Sequence, residues 1–357
     1  MLTKDKVLEA LSQVIEPDLR KDLVSLGMIE NLVIEGKQVK FTIVLTTPAC
    51  PLKDLMANAC VNAVTKLVDP GAEVQINFTS RVNTVRQNSD VLKGVKNIIA
   101  VASGKGGVGK STVAANLALS LAEEGAKVGL LDADIYGPSV PTLFGISSAP
   151  EMKEIDGHNL MIPLEKNGIR LLSIGFMMKA DQAIVWRGPM ISSAIRQFMN
   201  DVAWGSLDYL IIDLPPGTGD IHLTLAQQFP ITGALIVTTP QELALADARK
   251  AVTMFRMQGV AVPLIGVVEN MSYFSPEDQE GKRYYLFGKG GGEKLSMETG
   301  MPLLGEIPFI EAVRAAGDEG INALGQNKVY TEAFAKFAGN VARQIAVKNA
   351  GVSSRLK

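Results

Sequence analysis

Apolar positions fall into two regimes along this chain. Up to about residue 80 they are spaced out among charges, whereas from residue 97 they gather into short unbroken runs. In the first regime the pattern predicts a helix over Lys4–Ile15. Two extended segments follow, LVIEG and KQVKFTIVLTT, parted by a Gly-Lys turn signal. A second helix is predicted from near Pro51, with Leu52, Leu55, Met56, Ala59, Ala63 and Leu67 at helical spacing, and a strand, AEVQINF, closes the unit. Residues 1–80 therefore read as a small α+β domain, and the polar stretch 81–96, RVNTVRQNSDVLKGVK, reads as a linker.

In the second regime the runs NIIAVAS, KVGLLDAD, IRLLSIG, LDYLIIDLP, GALIVTTP, PLIGVVENM and PLLGEIP alternate with helical stretches. Strands apolar on both faces are buried on both sides, so 97–357 is expected to be an α/β domain with a mostly parallel sheet between helices. Ligands of such sheets sit at the carboxyl ends of the strands, which directs attention to the residues just after each run.

Composition narrows the class. The 357 residues are 47% hydrophobic and 20% charged, with a net charge of −2, as in a soluble globular protein with no general pull toward nucleic acid or anionic membrane. The N-terminus does not look like a signal peptide, and no apolar run reaches the ~18–20 residues of a membrane span. The only cysteines, Cys50 and Cys60, exclude a disulfide framework and suit a reducing, cytoplasmic setting.

Chemistry concentrates in SGKGGVGKST, residues 103–112. Gly104, Lys105, Gly106, Gly107, Val108, Gly109, Lys110 and Ser111 fit G-x-x-x-x-G-K-[ST], and with Thr112 they lie between a strand-like run and a helix-like run. Glycines let backbone N–H groups wrap phosphates, and the helix adds its positive end. Lys110 is expected to neutralise the β- and γ-phosphates of ATP and Ser111 to ligate Mg²⁺, with Asp213 a further holder of Mg²⁺ and Gly217 a candidate amide donor to the γ-phosphate. Either Asp132 or Asp134 is placed to orient the attacking water; Asp134 is preferred.

One lysine suffices for such a loop, yet there are two. KGGVGKST, with its extra Lys105, resembles the deviant phosphate-loop ATPases, the group of MinD, ParA and the nitrogenase iron protein. By that resemblance Lys105 acts in trans on a partner's nucleotide in a homodimer, and Lys110 acts in cis. More narrowly, LLDADIYGPSVPTLFG, WRGPM, LDYLIIDLPPGTGDIHLTLAQ, TTPQELALADARKAV, GVVENMSYF and FGKGGGEKL resemble the Mrp/ApbC family of iron–sulfur cluster carriers with ATPase activity. IEPDLRKDLVSLGMI and TTPACPLKD resemble the MIP-type domain often fused to its bacterial members. The resemblance implies a slow ATPase that transfers clusters to client apoproteins, with Asn270 reading the adenine edge.

Many family members carry C-x-x-C shortly after ENMSYF. Here Ser275, Pro276, Glu277, Asp278 and Gln279 stand instead, and carboxylates replace thiolates poorly on an iron–sulfur cluster. Cys50, just before a predicted helix start that would favour thiolate, becomes the candidate iron–sulfur ligand. Cys60 reads as a packed core thiol, and His158 and His222 as structural. Arg187 either touches γ-phosphate or a partner, or makes an ordinary ion pair. The competing reading is a positioning switch of the MinD or ParA kind, docking on a membrane through Phe334, Phe337, Val341 and Ile345 on one helical face. A third reading is an ATP-gated scaffold without its own cluster.

Overall fold

The computed structural model describes residues 2–85, 92–177, 188–276 and 281–351. Contacts divide the chain into two units, Met1–Thr84 with Ala342–Lys357, and Val85–Val341.

In the first unit α1 (Lys4–Leu11) is capped by Thr3, whose hydroxyl accepts from the Lys6 amide. It ends short of the expected Ile15, because Ile15–Glu16 turns extended to pair with Lys21–Asp22. Strands β1 (Ile29–Glu35), β2 (Gln38–Leu45) and β3 (Glu73–Ser80) form one sheet in that order, antiparallel then parallel. The parallel pair requires a crossover, which α2 (Lys53–Leu67) supplies after a turn at Pro51 and Leu52. Val7, Leu11, Phe41, Ile43, Met56, Cys60 and Val64 make the core, each large side chain contributing roughly 1.5–3 kcal/mol of burial.

The second unit is built on an eight-stranded sheet. Its strands are β4 (Val95–Ser103), β5 (Val128–Asp132), β6 (Leu164–Lys166), β7 (Ile169–Ser173), β8 (Leu207–Asp213), β9 (Gly233–Thr238), β10 (Leu264–Glu269) and β11 (Leu303–Glu306). They lie in the order β6-β7-β5-β8-β4-β9-β10-β11, parallel throughout except for the β6/β7 pair at the edge. Each expected apolar run lies in one of these strands, and β4 already begins at Val95, inside the stretch read as linker. Helices α3 (Lys110–Glu123), α4 (Val140–Leu143), α5 (Gly188–Asn200), α6 (Asp220–Gln228), α7 (Glu242–Arg256), α8 (Gly291–Thr299) and α9 (Glu311–Glu319) follow successive strands or loops. A hairpin of Met152–Ile155 and His158–Met161 had no signal in the sequence; its first strand is wholly exposed and so carries no alternation.

The last helix, α10 (Lys328–Asn349), is divided between the units at Ala342. Phe334, Phe337, Val341 and Ile345 are all buried, so the apolar face read as a membrane-docking face is packed inside protein. Among the described residues no helix is long and apolar enough to cross a membrane.

Candidate functional site

The central strand β4 stops at Ser103 and α3 starts at Lys110, leaving Gly104–Gly109 as the connecting loop. Two of its glycines are required by close approach. A Cβ on Gly104 would lie 2.1 Å from the Asp247 carbonyl carbon on α7, and one on Gly109, at φ +78°, would lie 2.2 Å from Asn270 Nδ2. The loop walls a cavity of about 540 Å³, together with Lys105, Lys110, Ser111, Thr112, Asp134 and Pro216.

Lys110 is the electrostatic centre of this cavity. Its ammonium is nearly buried and sits 2.6 Å from Asp213 Oδ1 at the end of β8 and 3.5 Å from Asp134 Oδ2, with Ser111 Oγ at 3.4 Å. Asp213 is fully buried, and burial pushes its carboxyl upward against the opposing pull of Lys110 and the Ser111 hydroxyl. Its second oxygen, Oδ2, has no hydrogen-bond partner among the described residues. A buried carboxylate oxygen left open beside a lysine and a serine hydroxyl suits a hard cation, and the pair fits Mg²⁺.

The two aspartates after β5, inseparable in the sequence, separate in space. Asp132 accepts from the amides of Asp134 (3.1 Å) and Val140 (3.1 Å) and from Ser173 Oγ (2.9 Å), so it pins the loop leading to α4. Burial, helped by the nearby Asp213 charge, pushes its carboxyl up to about 7. Asp134, by contrast, lines the cavity and faces Lys110.

Asn270 braces the loop. Its Nδ2 donates to the Val108 carbonyl at 2.9 Å, which fixes the amide orientation. It lines a second pocket of about 180 Å³, walled by Pro308, Phe309, Val313 and Tyr330, that shares Gly109, Thr112, Leu143, Gly317 and Asp318 with the first. The contributions of Leu143 on α4 and of Gly317 and Asp318 on α9 had no motif to announce them. Only the fold brings these short helices over the loop. Two expectations are qualified. The Gly217 amide donates to Ser103 O at 2.9 Å and so is not free for phosphate. Lys105 lines the cavity and makes no ion pair among the described residues.

The expectation for Cys50 needs correction. It lies ahead of α2, whose N-cap is Leu52, and is half-buried. Burial, reinforced by the Glu16 and Asp18 carboxylates, pushes its thiol up from the ordinary value, overriding the Leu52 amide and Arg343. Helix-start activation is therefore outweighed. Cys60 is a core thiol as expected, pushed up to about 12 by burial. His158 is exposed and His222 buried. No cluster of three or more His, Cys, Asp or Glu able to hold a metal occurs among the described residues. Arg187 and Glu277–Gln279 lie outside them.

Residues 94–346 match the family described as NUBPL iron-transfer P-loop NTPase, and residues 4–77 match the family described as iron-sulfur cluster assembly protein. A relative from Synechocystis sp., named iron-sulfur cluster carrier protein, is 49% identical over 98% of both chains. One of the same name from Deinococcus radiodurans is 49% identical over 96% of both. Among solved structures, the nucleotide-binding protein of Archaeoglobus fulgidus in complex with ADP is similar at 41% identity and a TM-score of 0.57, over 68% of this chain and 93% of that one.

Proposed function

The chain belongs to the NUBPL iron-transfer P-loop NTPases, and on that footing we propose that it is an ATP-hydrolysing homodimer that carries iron–sulfur clusters to client apoproteins. The observation that carries the reading is Lys110 held between Asp213 and Asp134 in a glycine-walled cavity, in a chain whose full-length relatives bear the carrier name.

Lys110 compensates the two carboxylates. Arrival of ATP draws its ammonium to the β- and γ-phosphates, and the carboxylates then need another cation. Mg²⁺ would be held by Ser111 and Asp213 and, when bound, supplies the remaining neutralisation of phosphate charge. Asp134 orients the attacking water while Asp132 keeps its loop in place. Lys105, unpaired within the described residues, reaches the partner's nucleotide. Asn270, one N–H of its amide committed to Val108, offers adenine its carbonyl oxygen as acceptor for the exocyclic amine, whereas guanine presents an oxygen at that position.

The cargo is a substrate, and any thiolate this chain gives it comes from the first unit, which holds both cysteines. Cys50 is the half-buried one and the reading assigns it the contact. Two thiolates per dimer leave cluster positions for a small thiol or the client, an arrangement suited to handing over. The test is phosphate release from ATP. The purified protein should show Mg²⁺-dependent release that Lys110→Ala abolishes without change in far-UV circular dichroism; a parent protein that binds ATP and releases no phosphate contradicts the enzymatic part.

A further inference from the structure

The two cavities of the site meet at five residues, Gly109, Thr112, Leu143, Gly317 and Asp318. A nucleotide with its phosphates in the larger cavity and its base at Asn270 in the smaller one must lay its ribose across that junction. The sugar presents two neighbouring hydroxyls there, and a hydroxyl taken out of water needs a partner. Of the five residues only Thr112 and Asp318 have polar side chains, and Thr112 sits in the first turn of α3 beside Ser111, where the phosphates are expected. Asp318 remains, and it is poorly placed for stability. It lies in the last turn of α9, where the helix dipole disfavours a carboxylate, and that turn has no basic residue. Its ion pair with Arg314, Nη1 to Oδ2 at 2.5 Å, runs in the less favourable order, cation before anion, between two exposed side chains. Yet the end of α9 is held firmly. Gly320, its C-cap at φ +70°, comes so close to the chain after α4 that a Cβ on it would lie 2.4 Å from Gly145 Cα.

We propose that Asp318 is the sugar-selecting residue of the site: its carboxylate accepts hydrogen bonds from the ribose hydroxyls of an adenine nucleotide and so favours ribonucleotides over their deoxy counterparts. Oδ2 is held by Arg314, which leaves Oδ1 without a donor among the described residues. Arg314 has a second use, because it offsets a negative charge that would otherwise oppose the polyphosphate beside it. An acidic side chain on a ribose hydroxyl is a general device of nucleotide sites: it accepts from the O–H and repels a phosphate carried at that position. The inference rests on the nucleotide reading above and adds to it the part of the ligand that lies between phosphates and base.

The probes are ADP and 2′,3′-dideoxy-ADP, which lacks both hydroxyls, titrated calorimetrically into the full chain with Mg²⁺. The parent should bind ADP about tenfold or more tightly than the dideoxy nucleotide, the scale of a hydrogen bond to a charged acceptor. In Asp318→Ala that ratio should fall below about threefold through loss of ADP affinity alone. The dideoxy nucleotide should bind this variant as tightly as the parent or more so, because a negative charge has left the site. Asp318→Asn keeps an acceptor oxygen and should give a ratio between the two. A parent that binds both nucleotides equally overturns the proposal, as does an Asp318→Ala variant that keeps the parent's ratio or weakens both nucleotides alike. None of these readings needs turnover. A parent that binds ADP and releases no phosphate from ATP loses the enzymatic reading while the ratio still decides the role of Asp318; a parent that binds neither nucleotide overturns both.

Discussion

At the scale of single residues, the site is a set of charges waiting to exchange partners. Lys105→Ala should leave ATP binding intact and slow turnover by ~10³-fold, about 4 kcal/mol, if the lysine acts across the dimer. Mixing Lys105→Ala with Lys110→Ala subunits should restore one working site per heterodimer; demonstrated exchange without recovery contradicts the trans role. Asn270→Ala should reduce the preference for ATP over GTP by about tenfold, the worth of one hydrogen bond of ~1–1.5 kcal/mol, in competition binding. It should also weaken ATP itself, since the same amide braces Val108 of the loop. Equal affinity of the parent for both nucleotides contradicts the adenine assignment. The thiol of Cys50 titrates above its ordinary value because burial disfavours the thiolate. At neutral pH it is therefore protonated, and its alkylation by iodoacetamide should be slower than that of free cysteine and climb only as pH rises past 9.0, the ordinary thiol value. Fast alkylation at pH 7 would show an activated thiolate instead.

At the scale of elements, the β4–loop–α3 unit depends on how closely α7 can approach. Gly104→Ala drives a methyl into the Asp247 backbone, which cannot swing aside as a side chain would. The expected loss is ~1–3 kcal/mol of stability, read by denaturant titration, with ATP affinity falling alongside; a fully stable variant with normal binding contradicts the packing argument. This unit was legible in the sequence because one motif encodes both the turn and its ligand, and the runs from NIIAVAS onward were legible because strands buried on both faces leave unbroken apolar stretches. Other elements were not. α1 stops early because Ile15 finds a strand partner, a tertiary choice that helical spacing cannot register. Asp132 and Asp134 look alike in LLDADIYG, and only the amides of Asp134 and Val140 folding back on Asp132 distinguish them. Cys50 was misjudged because the fold half-buries it, and a carboxylate pair from IEPD, distant in sequence, adds to the effect of burial. His222, read as structural from its isolation in the sequence, is buried in the fold with its ring edge-on to Phe255.

At the scale of the whole molecule, ATP chemistry belongs to the Val85–Val341 unit and both cysteines to the other, so the account requires that nucleotide state govern what happens to cargo. The most direct measurement loads the full chain with an iron–sulfur cluster anaerobically and follows transfer to an apo-ferredoxin by circular dichroism, with and without Mg-ATP. The account predicts that Mg-ATP changes the transfer rate at least fivefold in the parent and not in Lys110→Ala, and that Cys50→Ser fails to load while Cys60→Ser loads normally. Transfer at one rate in all nucleotide conditions, from a parent shown to bind ATP, would contradict it.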